Sequence, residues 1–279
     1  MLILRRFLRD VPAVIGALIV LTLVIVAIFA PYIAPRLAEA FDSNLMMRLK
    51  PPSADYPFGT DGLGRDILSR VILGTRPALA ASLIVVLGAM VIGIPLGLIA
   101  GYRDGWVSET IMRVTDVFLA VPQLVLALAM AQILSGGIWS AILALALTYW
   151  PFFTRTVYSE TRRVRSALFI DALESLGASR LRILTLHVMP NVAAPVIVRA
   201  TAGMGFTILT LAVLGFLGVG AAPPDPDWGL TIAESRQYLP QSWWYATFPG
   251  LAIFIVVLGF SFLGDGLRDL VDPRLRRSR

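Results

Sequence analysis

Few side chains in this sequence could carry covalent or acid–base chemistry. It has one lysine, Lys50, one histidine, His187, and no cysteine. Lys50 stands in RLKPPS with no glycine-rich turn before it. A phosphate-cradling loop needs G-x-x-x-x-G-K-[ST], since the glycine turn presents backbone N–H groups and the lysine reaches the same phosphates. A nucleotide site of that kind is excluded. H-E-x-x-H needs two histidines, and Cys/His zinc sites need thiolates, so both are excluded too. No serine or acid forms a nucleophile–base set with a histidine in reach. The expectation is a chain with no catalytic residue, no metal and no cofactor of its own. His187 reads as a polar residue at a membrane boundary.

One stretch is patterned for contact with a partner. It runs from Ile170 to Pro190, IDALESLGASRLRILTLHVMP. Leu168, Phe169, Ala172, Leu173 and Leu176 recur at helical spacing and form an apolar stripe, with Asp171, Glu174 and Ser175 off it. Gly177 ends that helix, and Ser179 caps a second short one carrying Arg180 and Arg182.

The elements around this stretch are lipid-grade. The chain is 57% hydrophobic and 15% charged, with a mean hydropathy of +0.77, where a soluble domain carries about 25% charged residues. The fold class is therefore an all-α polytopic membrane protein. The net charge of +6 comes from arginines flanking apolar runs, which is the positive-inside pattern and argues against nucleic acid as a partner. The first run, Val11 to about Ala34, follows Arg5, Arg6 and Arg9. It exceeds the roughly 7–15 residues of a signal-peptide core and has no A-x-A site after it, so it reads as a retained first span.

Further spans are expected near Ala78–Gly101, Ile111–Leu134, Ile138–Phe153, Val192–Val219 and Phe248–Phe262. Pro122 should kink the third, and Arg113 and Asp116 sit three apart near its start as a local charge pair or a partner contact. The basic run Arg155 to Arg165 marks the cytoplasmic side, which places the patterned stretch in the cytosol. Arg199 either snorkels from the inner boundary or faces a cavity or partner. Glycines at 203, 205, 215, 218 and 220 read as packing faces. Trp243, Trp244 and Tyr245 read as an interfacial belt. No intramembrane Asp, Glu and His series offers a proton relay, so the passage cannot energise itself.

DALESLG followed by HVMPN resembles the EAA motif of type I permeases of binding-protein-dependent ABC importers. Asp171 stands for the acid, Ala172 for the first alanine, Gly177 for the glycine and Met189-Pro190 for the closing pair, with Leu173 in place of the second alanine. PFGTDGLGRDILSR, IMRVTDVFLAVP, PPDPDWG and LGDGLRDLVDPRLR resemble the peptide/nickel branch, and within it the "C" permease of dipeptide and oligopeptide importers. The likeness runs from Val11 to Arg276.

This resemblance implies six transmembrane helices in a type I ABC importer permease-like fold, with a cytoplasmic coupling-helix loop. It divides the chain into a tail (1–10), a first helix (11–34) and an external loop (35–77). A five-helix core (78–266) follows, holding the coupling loop 155–190 and external loop 221–247, and then a basic tail (267–279). It implies a heterodimer with a homologous second permease, two P-loop ATPase subunits that carry ATP and Mg, an external substrate-binding protein and a prokaryotic inner membrane with both termini cytoplasmic. ATPase coupling would fall to Asp171, Ala172, Leu173, Leu176, Gly177, Ala178, Arg180 and Arg182. Arg199, Arg113 and Asp116 are interface or cavity residues, and no substrate-binding residue is named. The substrate expectation is di- or oligopeptide, with nickel or another small solute as the alternative within the family. From the helices alone, a secondary transporter or channel, or a membrane scaffold whose short helix lies on lipid, stays open.

Overall fold

The computed structural model describes Phe7 and residues 10–271. Arg5, Arg6, Arg9 and the tail 272–279 lie outside the described residues. Helix α1 spans Val11–Ile33, α2 Ile67–Tyr102, α3 Trp106–Ala120, α4 Gln123–Ile133 and α5 Ile138–Arg165. Two short helices follow, α6 at Leu168–Ser175 and α7 at Arg180–Ile183. A π-helical turn at Leu184–Val188 leads into α8, Met189–Phe216. Last come α9, Trp228–Ser235, and α10, Trp244–Val271.

Six spans were expected. By length and composition, four helices can cross a membrane: α1, α2, the continuous α7–α8 unit and α10. The pair α3 and α4 makes a fifth if it is one broken span, because the two are bent by 92°. The anticipated kink is thus a break. Pro122 has no N–H to continue the ladder, and its ring pushes Val121 out of the helical region, to φ −89°, ψ 132°,. α5 falls short because its apolar run gives way to Tyr149, Trp150, Pro151 and Thr154 and closes on arginines.

α2 begins well before Ala78, because Asp66 caps it. The Asp66 carboxylate accepts from the Ser69 N–H at 2.9 Å and from the Ser69 hydroxyl at 2.6 Å. At about 1.5 Å per residue its 36 residues reach about 54 Å, from one end of the bundle to the other. It packs along α5 through glycines one turn apart. A Cβ at Gly93 would meet the Trp150 carbonyl oxygen at 2.6 Å, at Gly97 the Val157 Cβ at 2.6 Å, and at Gly101 the Thr161 Cβ at 2.5 Å. Small residues let backbones approach where lipid gives no hydrophobic drive. The Thr154 hydroxyl donates to the Gly93 carbonyl at 3.2 Å across the same seam. Gly97→Leu should therefore force α2 and α5 apart. The expected result is loss of monodisperse protein on size exclusion in detergent, while Gly250→Leu, at an open position, is tolerated.

The glycines of α8 divide. Gly203 packs on Tyr149, Gly205 on Phe260 and Val257, and Gly215 beside Gly229. Gly218 is a correction: it has φ +84° and nothing within 4 Å. It closes the helix, with Gly218 N–H to Gly215 C=O at 3.0 Å and Val219 N–H to Leu214 C=O at 2.9 Å, the paired bonds of a left-handed C-terminal cap.

At the end of the bundle where α2 starts, the segments around 34–66 and 217–243 fold over it as a cap. Its centre is ionic. Asp61, Arg65, Asp66 and Arg70 are all at most 1% exposed. Arg65 reaches Asp61 at 2.5 Å and Glu234 at 2.7 Å. Arg70 donates to the carbonyls of Ala40 at 2.8 Å, Pro224 at 3.1 Å and Asp225 at 3.1 Å. Burial alone would lower the Arg65 pKa; Asp61 and Glu234 outweigh that and raise it, so the guanidinium stays charged. Tyr245 and Trp244 belong to this cap and not to an interfacial belt. Both are buried, with the Tyr245 hydroxyl on Glu234 at 2.9 Å and the Trp244 indole on the Thr60 carbonyl at 3.2 Å. Only Trp243 is exposed, at 51%.

Candidate functional site

The opposite end, where α2 and α5 finish, carries the patterned stretch. α5 stops at Arg165, the chain turns through Ser166 and Ala167, and α6 leaves the bundle. Ile170 alone on this helix is fully buried, with Leu173 and Ala178 half-buried beside it. They pack on Tyr102, Val164, Ile183 and Val188. Of the expected stripe only Leu173 turns inward, and it does so beside Ile170, which the stripe did not include. Ile170 and Leu173, three apart, face inward; Leu168 (85% exposed), Phe169, Ala172 and Leu176 (84%) face out. With about 100° per residue, positions 168, 172 and 176 make a separate ridge. The ridge is thus an exposed apolar surface on the face of α6 turned away from the bundle.

Gly177 makes the turn. Its φ is +76°, its N–H reaches the Glu174 carbonyl at 3.0 Å, and the Ala178 N–H reaches the Leu173 carbonyl at 3.0 Å. These two bonds form a Schellman cap, sealed by the apolar pair Leu173 and Ala178. Ser179 then caps α7, accepting from the Arg182 N–H at 3.4 Å. Asp171, Arg180 and Arg182 are exposed, and among the described residues none of their side chains has an ion-pair partner. So Asp171, Ala172, Leu176, Gly177, Arg180 and Arg182 are all exposed on the α6–α7 unit. Leu173 and Ala178 form its inner side.

Five residues outside the expected site hold this unit. The Tyr102 hydroxyl donates to the Glu174 carboxylate at 2.6 Å. Arg165 lies over the Tyr102 ring at 5.4 Å and pairs with Asp104 at 2.8 Å, which also pairs with Arg162. The hydrogen bond from Arg162, with that from Arg165, holds the Asp104 carboxyl below its usual range. The signals were the off-stripe Glu174 and the charged connection after Tyr102.

Arg113, Asp116 and Arg199 lie elsewhere. Arg113 pairs with Glu109 one turn back at 3.5 Å, and Asp116 pairs with Arg155 of α5. The Arg113–Asp116 pair is not formed, because Asp116 points at α5. Arg199 is half-buried, its guanidinium 4.9 Å from the Phe152 ring centroid. Among the described residues no cluster of three or more His, Asp or Glu could hold a metal.

Comparison with known proteins bears directly on this arrangement. Residues 93–277 match the family described as binding-protein-dependent transport system inner membrane component. Residues 1–52 match the N-terminal TM domain of oligopeptide transport permease C. The chain is 43% identical over 265 residues to the dipeptide transport system permease protein DppC of Alkalihalophilus pseudofirmus, covering 95% of this chain and 86% of that one. It is 40% identical to the probable D,D-dipeptide transport system permease protein DdpC of Escherichia coli, covering 94% and 87%. It is 42% identical to the glutathione transport system permease protein GsiD of Pectobacterium atrosepticum, covering 98% and 90%. A chain of the inward-facing MetNI methionine ABC transporter superposes with TM-score 0.61 at 21% identity, covering 72% of this chain and 96% of that one, which shows the fold alone. A family match over well over half the chain, with three near-full-length relatives at 40% identity or more, leaves one conclusion. This chain belongs to the binding-protein-dependent transport system inner membrane components: it is a multi-pass inner-membrane permease of a bacterial ABC importer, non-catalytic and without cofactors, working with a binding protein and with separate subunits that bind ATP.

Proposed function

We propose that α6 and α7 form the seat for an ATPase subunit, and that the chain pairs with a second, related permease to enclose a pathway for di- or oligopeptides. The observation that carries the seat is the ridge of Leu168, Phe169, Ala172 and Leu176, exposed on the face of α6 turned away from the bundle. An apolar ridge flanked by Asp171, Arg180 and Arg182 suits a groove that is apolar at its base and charged at its rim. In this reading ATP binding moves the seat, and the helices exchange between two packings.

The same proposal has six spans, with both ends and α6 cytoplasmic. α5 is the sixth. Its 28 residues give about 42 Å, and it packs against α2, α3, α4 and α8. A helix packed against four others leaves only a narrow face outward, here Trp139, Leu143 and Leu147, and does not need the hydropathy of a helix surrounded by lipid. Arginines at its end, including Arg162, Arg163 and Arg165, put that end on the cytoplasmic side. Peptide as cargo follows from the relatives, whose names specify a dipeptide, a D,D-dipeptide and glutathione transport system.

The test is purification of the tagged chain in mild detergent with identification of what accompanies it. A second permease and P-loop ATPases are expected, the ATPases being lost when Ala172 is changed to Glu. A chain that comes out alone, yet transports on an ion gradient, would sink the reading. Reconstituted with its subunits and binding protein, the complex should take up a labelled dipeptide in preference to a nickel chelate; the reverse preference would refute the cargo.

A further inference from the structure

We propose that the Tyr102–Glu174 hydrogen bond is a strut that makes α6 travel as one body with α2 and α5, with Tyr102 and Glu174 as positioning residues for coupling. The inference rests on the reading of α6 as the ATPase seat.

An eight-residue helix is too short to hold its own orientation in water, so tertiary contacts must aim it. The contacts of Ile170 and Leu173 with the bundle are apolar. Apolar contact fixes proximity but is non-directional, and it leaves α6 free to roll about that line. A hydrogen bond is directional. The bond at 2.6 Å joins groups 72 residues apart in sequence, and it is the described side-chain hydrogen bond between α6 and the ends of the long helices.

Its anchor is well built. Tyr102 is 4% exposed and is the last residue of α2. It directly follows Gly101, one of the three glycines at which α2 meets α5, where a Cβ would be 2.5 Å from Thr161. Arg165 covers the ring and is tied through Asp104 to Arg162. The phenol is thus fixed by the ends of two helices already locked by their glycine seam. On the other flank, α7 runs through the π-helical turn Leu184–Val188 directly into α8. The seat is thus held against α2 and α5 by a directional contact as well as an apolar one. Force on α6 then goes into the α2–α5 pair and is not dissipated by rolling.

The experiment uses the importer with all its subunits in liposomes, with binding protein and peptide, and measures ATPase retention and peptide moved per ATP hydrolysed. Four variants are compared: Tyr102→Phe, Glu174→Ala, Glu174→Gln and the double Tyr102→Phe/Glu174→Ala. Tyr102→Phe keeps the ring beneath Arg165 and removes one oxygen. ATPase subunits should stay bound in all four. Peptide moved per ATP should fall about tenfold in Tyr102→Phe and Glu174→Ala, the scale of one hydrogen bond to a charged group. Glu174→Gln should restore most of it, because the amide oxygen still accepts from the phenol. The double variant should be no worse than either single, since both remove the same bond.

Wild-type yield in Tyr102→Phe, or additive losses in the double, would overturn the strut. If Tyr102→Phe couples normally while Gly177→Trp does not, the strut falls and the seat stands. If neither change alters coupling, both fall.

Discussion

Gly177→Trp should insert into the membrane and assemble its helices normally, yet lose transport and the coupling of ATP hydrolysis to it. The reason is local. Gly177 sits at φ +76°, where an L residue bears about 1–2 kcal/mol of strain. That strain falls on the Schellman bonds from Gly177 and Ala178 to Glu174 and Leu173, which set the angle between α6 and α7. A Cβ there would meet nothing within 4 Å, so the indole would start from an open position on an exposed turn. It would project from the seat beside Leu176, into whatever docks. The series Asn, Ala, Trp separates the two effects. Asn tolerates the left-handed region and should be near wild type, Ala shows strain alone, and Trp adds obstruction. Substrate-stimulated ATP hydrolysis is the measurement, and normal stimulation in Gly177→Trp would count against the seat.

The second large effect lies at the other end of the molecule. Arg65→Met should destabilise the cap by about 3–5 kcal/mol, the usual consequence of removing one partner from a buried ion pair. Asp61, at 0% exposure, would lose its 2.5 Å partner and keep Arg70 only at 3.8 Å. Glu234 would lose its 2.7 Å partner. The cap joins two segments far apart in sequence, so the change should expose both 34–66 and 217–243 to protease at a lower temperature. Arg48→Met, whose side chain makes an exposed hydrogen bond to Tyr238, is the control and should shift nothing. The double change Arg65→Met/Asp61→Asn should recover part of the loss, because the stranded charge is then removed. Equal protease resistance in Arg65→Met and wild type would refute the account.

Much of this protein was legible from residue order alone. Class follows from composition, since 57% hydrophobic residues cannot be hidden in a soluble domain of this size. The turn at Gly177 and the cap at Ser179 are local backbone chemistry and appear where the sequence put them. The exclusion of nucleotide and Cys/His zinc sites needed only a count of lysine, histidine and cysteine. The seam of Gly93, Gly97 and Gly101 was not read from the sequence, because its meaning required a partner helix.

Tertiary structure decided the rest, and the reason is the same in each case. Arg65, Arg70, Asp61 and Glu234 read as ordinary loop charges until two segments some 170 positions apart close over them. Tyr245 has the composition of an interfacial aromatic, and becomes a core residue because Glu234 is placed beneath its hydroxyl. The stripe read from spacing in α6 omits Ile170, yet Ile170 is the residue buried in the bundle, with Leu173 half-buried beside it, while Leu168 and Leu176 stay exposed. Periodicity reports that a helix has an apolar face; only the neighbours in space determine which part of that face is already covered.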